Sequence, residues 1–219
     1  MTDKEAILAR HSVRNYSGKA IEPEKVSLIR RKIEELNSEG GLNLQLIEDA
    51  GKTYNKLMNM AMGLGSAPSV IACVGKDASD LDERVGYYGE KLVLFLQQIG
   101  LNTCWAGTFN RKNIGAEVAD GERLVISIAL GYGKDPGMER KSKTPDQVTE
   151  GRADRPEWFE EGIRMALLAP TAINQQKCVI RLNDDDTVDF IDKGGIYSKV
   201  DLGIVKCHFE IGSGIKISV

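Results

Sequence analysis

The chain has 219 residues, with 29 Lys and Arg against 32 Asp and Glu, a formal charge of −3. Its 42% hydrophobic and 28% charged residues exclude a disordered chain, and the length suits one ordinary domain or two small halves sharing a core. The slightly acidic balance excludes the electrostatic footprint of a nucleic-acid binder but leaves room for a local basic pocket that takes one small anion.

In chain order, residues 1–11 read as a short helix opened by a Thr2-x-x-Glu5 capping pattern, charged where a leader peptide would be apolar. Arg10 to Tyr16 leave it as an extended arm, with a turn at Ser17-Gly18. Pro23 opens a helix with Val26, Ile29, Ile33 and Leu36 on one face, ending at Gly40-Gly41. Leu42–Ile47 alternates like a strand, and residues 52–62 read as a methionine-rich helix. Ser69 to Val74 is a continuous apolar run, hence a buried strand, and the whole run from Ala67 is far too short to span a bilayer. Gly86 to Ile99 is predicted as the longest helix, apolar almost all round and central to the core. Leu124–Leu130 is a second buried strand closed by Gly131-Tyr132-Gly133, and a polar stretch over 134–155 links to the rest. There, Pro156 opens a helix that stops at Ala169-Pro170. A hairpin follows over Cys178–Leu182 and Val188–Ile191, turning at Asn183 to Asp186, and a last helix begins near Lys199.

The later part repeats the earlier order in shortened form. Pro156-Glu157 matches Pro23-Glu24, and Gly203 with Phe209 matches Gly89 with Phe95. The expected division is a first half, 1–150, and a truncated second half, 151–219. Cys73, Cys104, Cys178 and Cys207 form no C-x-x-C and are expected as free buried thiols, and His11 and His208 alone make no zinc set. A soluble cytoplasmic protein is the expectation.

Three apparent motifs fail. Gly51-Lys52-Thr53 lacks the earlier glycine of a phosphate loop, since position 46 is Leu46. Gly131-x-Gly133 places Pro136 where a dinucleotide fingerprint needs glycine, and Asp184-Asp185-Asp186 is a solvated turn. Two segments carry chemistry. On an extended arm, Arg10, Ser12 and Arg14 share a face, and two guanidiniums flanking a hydroxyl suit a phosphate; the competing reading is a solvated basic arm. In Ala169-Pro170-Thr171-Ala172-Ile173-Asn174-Gln175-Gln176, a hydroxyl and amides crowd one tight loop that fits a flat heteroaromatic ring or is simply a polar turn.

Together these segments resemble the nitroreductase family of flavoproteins, whose R-H-S-x-R opening and A-P-[ST]-x-x-N-x-Q loop they match. Gly100 to Trp105 is similar to its G-L-G-x-C-W segment with Asn102 for a glycine, Ala129 to Gly133 to its closing strand, and Arg140 to Lys143 to its basic stretch. The order departs from the usual one. The early position of the loop holds Asn37 to Gly41, the loop itself arrives only at 169–176, and no second arm follows. This resembles the subgroup, typified by a Thermotoga nitroreductase, in which a duplicated and truncated chain imitates the family's dimer. Ala172 and Lys177 also depart from common family choices.

The resemblance implies an α+β nitroreductase-like fold, a largely antiparallel sheet with helices on both faces, and FMN as cofactor. Arg10, His11, Ser12 and Arg14 would take the phosphate and pyrimidine edge, with Lys141 and Lys143 adding charge. Pro170, Thr171, Ala172 and Asn174 would line the ring, and the backbone at Gly107 and Thr108 would approach its N5. No catalytic acid, base, nucleophile or metal is expected. The implied activity is ping-pong hydride transfer from NAD(P)H to a nitroaromatic, quinone or related small-molecule acceptor, in a monomer holding one FMN. A flavin-storage protein, a specialised flavin-dependent dehydrogenase and a cofactor-free interaction module remain as alternatives.

Overall fold

The computed structural model describes residues 1–51, 53–54, 64, 67–138 and 141–219. Helix α1 (Asp3–Ala9) opens as its sequence dictates: the Glu5 N–H donates to the Thr2 hydroxyl at 3.2 Å, and the Thr2 N–H donates to the Glu5 carboxylate at 2.8 Å. Helix α2 (Pro23–Gly40) starts on proline, buries Ile29, Ile33 and Leu36, and ends at Gly41, whose φ of +57° is the left-handed turn glycine tolerates.

Strand β1 (Leu42–Ile47) pairs antiparallel with β2 (Ser69–Lys76). Beyond β2 lie β4 (Glu122–Gly131) and then β3 (Asn102–Ala106) at the far edge, also antiparallel, giving the order β1-β2-β4-β3. The inner strands are apolar on both faces because both are covered. Ile71, Cys73, Ile126 and Ile128 face the main core with α2 and with α3 (Leu81–Gln98). Val70, Ala72, Val74 and Ala129 face Val13 and Tyr16 of the arm, with Tyr54, Leu64 and Phe109. The helix expected over 52–62 lies, apart from Thr53 and Tyr54, outside the described residues.

Helix α3 equals α2 at 18 residues rather than exceeding it, and begins at Leu81, earlier than Gly86, because Leu81 and Val85 already face the core while Asp82, Glu83 and Arg84 hide that turn's pattern. Lys91, Gln97 and Gln98 interrupt the apolar surround expected of it, and its buried face carries one charged side chain, the fully buried Glu90. Strand β3 had no separate forecast. The polar link also carries a short strand, β5 (Thr149–Gly151), which pairs parallel with β6 (Cys178–Leu182), and β6 in turn pairs antiparallel with β7 (Val188–Asp192). The largely antiparallel sheet is therefore two sheets.

Helix α4 (Glu157–Ala166) precedes β6 and β7, and α5 (Ser198–Ser213) follows them, so the order α-β-β-α of α2, β1, β2 and α3 recurs. Helices α3 and α5 cross at two glycines. A Cβ on Gly86 would lie 2.1 Å from the Val200 carbonyl oxygen, and one on Gly203 would lie 2.0 Å from that of Glu83. Gly203 follows Gly86 by 117 positions, as Val200 follows Glu83, so the contacts are reciprocal in the way a two-fold axis requires. This register differs by one helical turn from the Gly89–Gly203 match read in the sequence. Gly89 instead makes room for the Trp105 ring, 2.5 Å from where its Cβ would be. Phe159, Ile163, Val200 and Phe209 share one core cluster with Ile71 and Leu92, so segments early and late in the chain pack around common apolar contacts.

All four cysteines are free and buried. Among the described residues no helix is long and apolar enough to cross a membrane, and no group of three metal-ligating side chains occurs.

Candidate functional site

The arm leaves α1 in extended conformation at Arg10 and lies along β3. Ser12 bridges Thr103, the Val13 N–H donates to the Thr103 carbonyl at 3.0 Å, and Tyr16 bridges Gly133. Val13 and Tyr16 are fully buried. Arg10, Ser12 and Arg14, on the opposite side from Val13, line a cavity of about 470 Å³. His11 and Lys141 also line it, with Pro170, Thr171 and Asn174 on the opposite wall. Three cations and a hydroxyl around one hollow make an anion site by their chemistry alone.

A second cavity of about 280 Å³ adjoins the first and shares Ser12, Arg14, Pro170 and Thr171 with it. Its floor is more apolar, with Ile126, Val200 and Ile204, and its edges carry Gly107, Thr108 and Ala172. Gly107 is required there: a Cβ would lie 2.2 Å from the Tyr197 ring, whose hydroxyl donates to the Gly107 carbonyl at 2.7 Å. A charged hollow continuous with an apolar slot fits a molecule with a phosphate at one end and a flat ring at the other, and the volumes fall in the range of ordinary cofactor sites.

The loop between α4 and β6 is over-determined. Ile173, Asn174 and Gln176 all have positive φ, at 46°, 55° and 46°. Such conformations cost about 1–3 kcal/mol each where no glycine relieves them, so neighbours must hold them. The Asn174 and Gln176 side-chain amides donate to the Lys141 carbonyl at 2.7 and 3.1 Å, and the Gln176 N–H donates to the Thr171 hydroxyl at 3.1 Å. On the other side, Asp201 of α5 accepts the Ala172 N–H on both oxygens, at 2.9 and 3.1 Å, and the Gln175 amide at 2.7 Å.

Eleven of the twelve residues singled out in the sequence line one or both cavities. Lys143 does not. Its ammonium donates to the Gln176 carbonyl at 2.6 Å and its N–H to the Gln176 side-chain oxygen, so it fastens the loop from outside. Arg10, only 3% exposed, reaches the cavity from a buried position, its Nε 3.7 Å from a Glu90 oxygen. Glu90 also accepts from the Trp105 indole at 2.8 Å and lies 2.9 Å from His208 Nε2. Burial alone would raise the Glu90 carboxyl, but His208, Arg10 and Trp105 together hold it below the ordinary glutamate value.

Sequence reading missed Glu90, Tyr197 and Asp201. The signal for the two acids was a lone carboxylate inside an apolar helical stretch, at Glu90 within 86–99 and at Asp201 between Val200 and Leu202. Tyr197, with φ of +55° just ahead of α5, carried no signal at all.

Comparison with known proteins identifies the family and the fold. A family model described as "Putative TM nitroreductase" matches residues 3–213. A Thermotoga maritima structure described as a "putative nitroreductase" is 23% identical, superposes with a TM-score of 0.71, and covers 97% of this chain and 83% of its own. A nitroreductase family protein from Streptococcus pneumoniae is 17% identical with a TM-score of 0.53, covering 68% of this chain and 98% of its own. A "Putative NADH dehydrogenase/NAD(P)H nitroreductase" from Bacteroides thetaiotaomicron is 16% identical with a TM-score of 0.52, covering 67% and 95%. At these identities the three structures establish the nitroreductase-like α+β fold. No curated protein matches the sequence.

Proposed function

The chain belongs to the TM nitroreductase family, and from that premise we propose that it is an FMN-dependent NAD(P)H oxidoreductase acting on nitroaromatics, quinones or related acceptors. The observation that carries the reading is the meeting of arm and loop: Arg14, Ser12, Pro170 and Thr171 border both the charged cavity and the apolar slot. FMN bound there supplies the hydride and electron chemistry. Arg10, Ser12, Arg14 and Lys141 hold the phosphate, with Arg10 kept in place from behind by Glu90. Pro170, Thr171, Ala172 and Asn174 line the ring, and Gly107 with Thr108 brings backbone close to its reacting edge. No side chain is assigned as acid, base or nucleophile. The protein's part is to bind, orient and shield the cofactor, which would take electrons from NAD(P)H and pass them to the acceptor.

The same reading includes an internally duplicated chain that acts as a monomer with one FMN. The α-β-β-α recurrence and the reciprocal glycines support it, as does the single arm meeting the single loop. The test is reconstitution of the purified chain with FMN, followed by counting released flavin, light scattering, and NADH or NADPH oxidation with a quinone. One flavin per monomer and acceptor-dependent oxidation are expected. Flavin bound without NAD(P)H oxidation would instead favour a storage protein, and no flavin binding would overturn the reading.

A further inference from the structure

We propose that Asp201 is a positioning residue of the flavin site: its carboxylate, acting through the Ala172 N–H and the Gln175 amide, holds the 170–176 loop in the shape that lines the ring slot, at the expense of the stability of the empty protein. The inference rests on the flavin reading for its ligand but not for its geometry. Asp201 is 7% exposed and borders the slot beside Val200 and Ile204. The groups around it are charged unhelpfully or not at all. Asp192 at the end of β7 is a second acid, Cys178 on β6 is a buried thiol, and Tyr197 lies on its own approach to α5. Arg14 borders the same slot and Lys206 lies further along α5, but among the described residues no cation forms an ion pair with Asp201.

A carboxylate taken out of water beside another acid, with two N–H donors and no cation, is a net cost to folding. Burial pushes the Asp201 carboxyl up from 3.8 to about 6, and the Gln175 and Ala172 hydrogen bonds only partly oppose the rise. Above that value the charged form is held against its preference. The folded chain then binds more protons than the unfolded chain between the two values. Its stability is therefore highest below about pH 4 for this group and falls as pH rises through about 6. A residue kept where it destabilises the fold, and bonded to the strained loop of a ligand slot, is better explained by the ligand than by the fold. The loop needs such a partner: Ile173 is 85% exposed, β-branched and left-handed, so nothing in its own packing fixes the turn.

The experiment compares wild type with Asp201→Asn, which still accepts from Ala172 but presents an amide donor to the donor of Gln175. Thermal midpoints of the flavin-free proteins are measured at pH 5 and pH 7.5, together with FMN affinity at pH 7.5 by fluorescence. Expected are a midpoint that falls with pH in the wild type and much less in the variant, and an affinity weakened about tenfold or more. A residue serving only the fold would change the thermal midpoint on substitution and leave FMN affinity as in the wild type. Gln175→Met, which also gives up the 2.9 Å bond to the Ile196 carbonyl, provides a second reading: losing the donor to Asp201 should move the inflection of stability to higher pH. Failure of wild type to bind FMN would sink the functional reading and, with it, the ligand named here. Wild-type binding with Asp201→Asn within twofold, or with its pH slope intact, would overturn the role of Asp201 alone.

Discussion

Arg84 and Asp201 stand at matching places on the two crossing helices, 117 positions apart like Gly86 and Gly203, yet they grip opposite ends of the peptide unit. Arg84 donates to the carbonyls of Gly40 and Gly41, at 2.7 and 3.1 Å, where α2 ends. Those carbonyls carry the partial negative charge of a helix C-terminus, and a cation there is stabilising. The Tyr88 ring then fills the space against Gly40, 2.6 Å from where its Cβ would be, and that turn is closed. Asp201 does the reverse after α4. It takes N–H donors from the loop and leaves Pro170, Thr171 and Ile173 facing the two cavities. One turn is a satisfied cap and the other a held-open wall. The difference teaches that helix positions 117 residues apart, on two helices that cross at matched glycines, can anchor turns with opposite charge.

The comparison can be broken at its hinge first. Gly86→Ala and Gly203→Ala each place a methyl onto a carbonyl of the facing helix. Each should cost on the order of 3 kcal/mol, read by denaturant unfolding. Because the two sites share one crossing, the double variant should lose less than the sum. Widely unequal single effects, or simple additivity, would mean that the crossing is not reciprocal. The open side is tested next by Arg14→Ala, which removes the exposed guanidinium common to both cavities. FMN affinity should weaken by roughly 1.5–3 kcal/mol with stability little changed. Retention of flavin after dialysis, equal to wild type, would remove Arg14 from the clamp.

Arg84→Ala probes the closed side. Loss of two carbonyl bonds at a partly exposed cap should lower unfolding free energy by about 1 kcal/mol and leave FMN affinity unchanged. A flavin effect of that variant would show that the closed turn still communicates with the site. The smallest effect is expected from Asn174→Ala. The amide of Asn174 ties the loop to Lys141 and accepts from Gln176, all near the surface. Affinity for FMN should fall by about 0.5 kcal/mol, with a shift in flavin reduction potential rather than in salt sensitivity. Unchanged potential and affinity would make Asn174 a turn residue only.

Much of this was legible in residues because the chemistry is local. Thr2 with Glu5 caps α1 wherever that segment goes, Pro23 and Gly41 bound α2 by their own φ preferences, and the Asn183 to Asp186 turn makes its hairpin. The arm and the loop were legible through their motifs, since Arg-x-Ser-x-Arg on an extended chain puts its donors on one face. Illegible were the start of α3 at Leu81, hidden by three charged residues, and β5, whose polar sequence pairs only because β6 arrives beside it. The order α-β-β-α was legible twice, but the glycine of the helix crossing was misread. Gly86 and Gly89 look alike in sequence, and only the approach of α5 to the one, and of Trp105 to the other, tells them apart.

The sequence by itself therefore determined the capped and bounded elements, the two segments that meet at the cavities, and the cationic character of one of them. Each depends on interactions spanning a few residues, where backbone preference and spacing act directly. Only the tertiary structure decided that Glu90 stands behind Arg10, that Tyr197 covers Gly107, that Lys143 serves the loop, and that Asp201 holds it. These join residues from 26 to 90 positions apart, down to the Gln175–Asp201 bond and up to that of Tyr197 with Gly107. The role of a buried polar side chain is set by whichever donor or acceptor the fold brings to it, because leaving it unmet is what the fold cannot sustain.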